Sequence, residues 1–93
     1  MIVGVLEIEI YLHGCRSLKE KRMVIRSVKD SISKKFNVSV AEIDFLDKWQ
    51  RASMAFAKVS NSRSHTEEVL QKIFQLLDKN LNFEIIKYKF EYK

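Results

Sequence analysis

With 93 residues, 46% of them hydrophobic and 11% aromatic, the chain can build one packed core and is too short for two, so a single domain over 1–93 is expected. One cysteine, Cys15, excludes an internal disulfide and fits a reducing compartment, which makes a cytoplasmic location the expectation. The net charge of +5 points to an anionic partner only if it is clustered, and it is: Arg16 to Lys35 hold eight basic residues against two acidic ones, leaving nine and ten elsewhere.

The apolar run from Met1 to Leu12 is broken by Glu7 and Glu9, has no basic lead or small-residue cleavage site, and is too short to span a bilayer. It is therefore read as a strand, with Ile2, Leu6, Ile8, Ile10 and Leu12 on one face and Val3, Val5, Glu7, Glu9 and Tyr11 on the other. Gly14 ends that alternation. Ser17-Leu18-Lys19-Glu20 then has the form of a capping box, opening a helix whose apolar arc holds Leu18, Val24, Ile25, Val28, Ile32 and Phe36. Lys21 falls inside that arc, and the expectation is that it lays its stem on apolar surface and sends its ammonium out to water.

Phe36 to Phe45 reads as a second strand, with Val38, Val40 and Ile43 as its apolar positions; the charged stretch Asp44 to Lys48 leads into a third strand from about Trp49 to Ser60. Ser64-His65-Thr66-Glu67 has the form of a second capping box, for a helix reaching about Asn80 with Val69, Leu70, Ile73, Phe74, Leu76 and Leu77 on its core face. Phe83 to Tyr92 alternates as a last strand, with Ile86, Tyr88, Phe90 and Tyr92 on one side and Lys87, Lys89 and Glu91 on the other.

Two split βαβ units in this order, with right-handed crossovers, predict an α+β fold: a ferredoxin-like βαββαβ sandwich of one four-stranded antiparallel sheet with both helices on one face. Four segments carry a resemblance: Arg16-Ser17-Leu18-Lys19-Glu20-Lys21-Arg22, Phe36-Asn37-Val38-Ser39-Val40-Ala41-Glu42, Trp49-Gln50-Arg51-Ala52 and Val59-Ser60-Asn61-Ser62-Arg63. Together they resemble the YlxP-like family of short bacterial proteins, a domain of unknown function, so the likeness brings no catalytic residues with it. It does imply a context, because members are commonly encoded beside translation factors and ribosome-binding factor A, which suggests a role near the ribosome or its RNA.

Lys19, Arg22, Arg26 and Lys29 fall within about 80° of the helix wheel, a stripe able to meet successive phosphates; a solvated helix face is the plainer alternative. Trp49, Gln50 and Arg51 are candidates for stacking on and hydrogen-bonding to an unpaired base, against a core or interface tryptophan. Arg51 is counted with the stripe as nucleic-acid-binding. At the first helix start, Gly14, Arg16 and Ser17 are candidates for an anion, with the capping box competing for the same N–H groups. The glycine-rich, Arg-bearing loop of acylphosphatases is not reproduced there. Cys15 with His13 or His65 lacks a third orienting group, and His13, Cys15, Asp44, Asp47 and His65 have no metal-ligand spacing. A non-enzymatic module binding ribosomal RNA or the ribosome is therefore expected, without cofactor, metal or membrane. The alternative is a homo-oligomer, a homodimer at its simplest, joined through the uncovered sheet face that carries Val3 and Val5.

Overall fold

The computed structural model describes residues 1–93 as β1 (Ile2–Tyr11), α1 (Leu18–Phe36), β2 (Ser39–Asp44), β3 (Arg51–Ser60), α2 (Arg63–Asp78) and β4 (Glu84–Tyr92). All pairings are antiparallel and the strand order is β2-β3-β1-β4, the ferredoxin-like arrangement expected from the element order. β1 and β3 are the two inner strands, and each has a fully apolar inward row: on β1, Leu6, Ile8 and Ile10 are buried against the helices, each contributing about 1.5–3 kcal/mol of burial. β3 matches it with Ala52, Met54 and Phe56, and the helices complete the core with Ile25, Val28 and Ile32 from α1 and Val69, Leu70, Ile73 and Leu77 from α2.

The helix starts follow from their caps. Ser17 is extended (φ −161°) and its Oγ accepts the Glu20 N–H at 3.1 Å; the Glu20 carboxylate turns back to the Arg16 N–H at 2.6 Å, one residue ahead of the cap. α1 ends at Asn37, whose left-handed backbone (φ 48°) a short polar side chain tolerates. α2 starts two residues earlier than its sequence pattern suggests. Ser62, not Ser64, is the cap, accepting the His65 N–H at 3.2 Å, while Glu67 pairs with Arg63 and does not complete a box. α2 approaches β1 closely at Gly4, where an added Cβ would collide with the Thr66 methyl and lie 2.9 Å from Leu70 Cδ1.

Two register shifts correct the strand reading. Glu42 pairs with Met54 but Asp44 with Ser53, so Ile43 is an extra residue in β2 and is 45% exposed, not a core position. In β4 the pairing passes from Ile10–Ile85 to Glu9–Lys87, so Ile86 is the extra residue and Ile85 packs against the core in its place. Inserting one residue flips the alternation on one side of the insertion, which a strict two-residue period cannot show.

Candidate nucleic-acid interface

Lys19, Arg22, Arg26 and Lys29 all lie exposed on α1, and none of them makes an ion pair. Arg22, Arg26 and Lys29 line one wall of a concavity of about 420 Å³ between α1 and β2, with Asp30 on the same helix and Glu42 opposite. Lys34 and Lys35 extend the positive charge into the last turn, where they face the negative end of the helix.

Lys21 does not belong to this surface. Its side chain is 1% exposed, and its ammonium reaches Glu42 Oε2 at 2.8 Å and donates to the Phe45 carbonyl at 2.8 Å and the Arg51 carbonyl at 3.2 Å. All three N–H donors of the ammonium are thereby used. Glu42 Oε2 is buried and has no partner besides that ammonium. The expected snorkelling lysine is instead the buried tie between α1 and the β2–β3 loop, because β2 lies over the helix face and closes off the route to water. The signal was present in the sequence: Lys21 is the polar residue in an apolar helical arc, and Glu42 is the polar residue in the inward row Val38, Val40, Glu42.

Arg51 does not join the α1 stripe either. Its side chain lies on the sheet face away from the helices, where the guanidinium binds Glu9 Oε2 through both Nε (2.9 Å) and Nη2 (2.6 Å) and covers the Phe45 ring at 4.2 Å. It borders a hollow of about 500 Å³ formed with Tyr11, Phe45, Asp47, Lys48, Trp49 and Gln50. Trp49 is 55% exposed and so is not a core residue. Gln50, a candidate for reading a base edge, has its amide committed inside the protein: Nε2 donates to the His13 and Cys15 carbonyls at 3.3 Å each, and Oε1 takes the Tyr11 hydroxyl at 3.5 Å.

The anion site sought at Gly14, Arg16 and Ser17 is already filled by the chain. The Cys15 N–H donates to the Leu12 carbonyl at 3.3 Å, the Arg16 N–H to the Glu20 carboxylate, and the Ser17 hydroxyl accepts the Glu20 N–H. A carboxylate stands where the anion would bind, which argues against an acylphosphatase-like site. Cys15 is buried, and burial first, then the Glu20 carboxylate, push its thiol pKa up, with Lys21 opposing. A thiol in that state is a poor nucleophile. His13 and Cys15 share a loop, whereas His65 sits in the first turn of α2. No group of three or more His, Cys, Asp or Glu side chains converges to hold a metal ion. Neither helix is long and apolar enough to cross a membrane.

Residues 3–90 match the model of the family described as "Protein of unknown function (DUF503)". The chain belongs to the DUF503 family. A relative, "Uncharacterized protein YlxP" of Bacillus subtilis (strain 168), is 42% identical over 77 residues, which span 83% of this chain and 84% of that one. The resemblance read from the four segments is thus shown. Among solved structures, a de novo designed protein with a ferredoxin fold overlays all of this DUF503 chain and 84% of its own at a TM-score of 0.51 and 11% identity. That likeness concerns the fold alone.

Proposed function

We propose that this protein is a non-enzymatic binding module that lays the outer flank of α1 against the phosphates of structured RNA, with ribosomal RNA as the expected target. The observation that carries the reading is that Lys19, Arg22, Arg26 and Lys29 are exposed, unpaired and aligned on one flank of a single helix, whereas elsewhere Arg51, Arg63, Lys72 and Lys89 have carboxylate partners and the unpaired Lys48, Lys58, Lys79, Lys87 and Lys93 are scattered over separate elements. Cations that neutralise phosphates release condensed counterions, so affinity should fall steeply with salt. The implied genomic company of the family favours the ribosome over other RNA, and a reducing cytoplasm is the matching location.

Filter binding of a ribosomal RNA fragment across a salt series tests it. Changing Arg22, Arg26 and Lys29 together to Glu should abolish binding at physiological salt, and changing them to Gln should flatten the log–log salt slope by about 2–3. Binding that keeps the wild-type slope in the Gln variant removes α1 from the interface.

A second reading, self-association through the uncovered sheet face, is favoured by one observation: Val3 faces Val59 and Val5 faces Ala57 across β1 and β3, and Val59 is 62% exposed. Light scattering at high micromolar concentration should then report a dimer that Val59→Lys disperses. A wild-type monomer under those conditions eliminates it.

A further inference from the structure

We infer that the hollow at the β2–β3 loop is a nucleobase site, in which Trp49 stacks on one unpaired base of a single-stranded segment of the bound RNA. The inference deepens the RNA reading of α1 and rests on it for the class of partner, but different residues carry it.

The loop is held far more firmly than a solvent connection of six residues requires. Lys21, buried under β2, fixes the carbonyls at both of its ends, Phe45 and Arg51. The Gln50 backbone carbonyl takes the Leu12 N–H at 2.8 Å, and its side chain is pegged to the His13 and Cys15 carbonyls. The Lys48 N–H closes a turn onto the Phe45 carbonyl at 3.0 Å. Phe45 itself is in the left-handed region (φ 60°), which an aromatic residue adopts at a cost, with its N–H held by the Asp44 carboxylate at 2.8 Å.

What this rigid frame presents is a π surface with no internal occupant. Trp49 is more than half exposed and stacks on no ring or cation of the protein. Phe45 carries the Arg51 guanidinium 4.2 Å from its ring centroid, held there by two hydrogen bonds to Glu9, and both side chains line the hollow together with the indole. Lys48 adds a cation at the rim. Exposed aromatic faces next to an arginine suit a base, while Asp47 offsets Lys48 at the same hollow and Arg51 is paired with Glu9, so the stacking surface and not local charge favours the ligand here. With the Gln50 amide used internally, the hollow has no fixed side-chain amide to read a base edge, so selectivity among bases should be weak.

Trp49 is the only tryptophan, so its fluorescence reports this hollow alone. The full chain is titrated with a single-stranded RNA heptamer, with an abasic oligomer of equal charge, and with a nucleoside monophosphate, and Trp49→Ala and Trp49→Phe are compared in filter binding. The heptamer should quench Trp49 strongly and the abasic oligomer hardly at all. Trp49→Ala should weaken heptamer binding about tenfold, and Trp49→Phe should restore most of the loss. Equal quenching by both oligomers, or Trp49→Ala binding within about twofold of wild type, overturns the base site. If the Arg22, Arg26 and Lys29 charge reversals still abolish binding in that case, the α1 reading survives without it. A monophosphate that quenches as well as the heptamer overturns the strand assignment in favour of a free nucleotide. Quenching that persists after the charge reversals leaves the base site standing and sinks the α1 reading instead.

Discussion

The two helices solve the same packing problem and dispose of their charge in opposite ways. α2 lies over β1, β3 and β4 and neutralises its cations on its own surface, Arg63 with Glu67 and Lys72 with Glu68, both one turn apart. α1 lies over the edge strand β2 and leaves every cation but Lys21 unpaired. Lys21 is also its one buried cation. The contrast separates charge that serves the fold from charge that is free for a partner, and each variant below breaks or sharpens it.

The largest effect should come from the one α1 cation that the fold uses. Lys21→Met strands the buried Glu42 carboxylate and two carbonyls and should cost about 3–5 kcal/mol in urea denaturation. Adding Glu42→Leu should recover most of that, because the stranded carboxylate is the main penalty; a double variant as unstable as the single one would show that the loop carbonyls dominate. Next comes Gly4→Ala, where the new methyl meets Thr66 and Leu70 and should push α2 off the sheet at a cost of about 1–3 kcal/mol. In contrast, reversing Arg22, Arg26 and Lys29 should leave the melting curve close to wild type, since exposed substitutions away from special features usually fall within about 0.5 kcal/mol each. An unfolded triple variant would mean that the stripe is structural after all.

A pH titration probes both helices at once. Burial, then Glu20, raises the pKa of Cys15 beside α1; burial, then Glu67, raises that of Tyr92 beside α2, with the Arg63 guanidinium over its ring opposing. Both groups hold their protons more tightly folded than unfolded, so the unfolded chain releases them first as pH rises. Stability should therefore be unaffected by these two groups below about pH 9 and decline above it, and Cys15→Ser with Tyr92→Phe should blunt the decline. The smallest effect is expected at Glu68, whose pKa the Lys72 hydrogen bond lowers on a fully exposed surface: Glu68→Gln should leave the urea midpoint unchanged within error.

Much of this was legible in the amino-acid order. Ser17 with Glu20 marked the start of α1, the alternation in Met1–Leu12 marked the central strand, and the four stripe cations stand together on α1 as the helix wheel predicted. What escaped was contact between elements distant in sequence. A helix wheel places Lys21 in an apolar arc but cannot say that β2 will cover it and bring Glu42 alongside. Ser62 and Ser64 are both competent caps, and the choice was decided by the exit of β3, where the Ser60 hydroxyl accepts the Ser62 N–H at 2.9 Å and fixes the turn there. Arg51 looked like one more cation for the stripe, yet its place in β3 sends it through the sheet to Glu9. The base-stacking candidate was half legible: Trp49 is exposed, but the internal commitment of Gln50 depends on the loop after β1, thirty-odd residues earlier in the chain.

The extra residues at Ile43 and Ile86 sit in β2 and β4, the two outermost strands of the sheet. An outermost strand offers a row of unpaired N–H and C=O groups to any passing chain, and an inserted residue spoils that row by bending it and breaking its spacing. Both borders of this sheet are blunted in that way, and Lys87 and Lys89 add charge along one of them. Bulged edges of this kind disfavour growth by strand addition into aggregates, which would matter if the proposed binding concentrated this small basic protein along RNA. The rim is thus the part of the sheet least suited to pairing with a second copy.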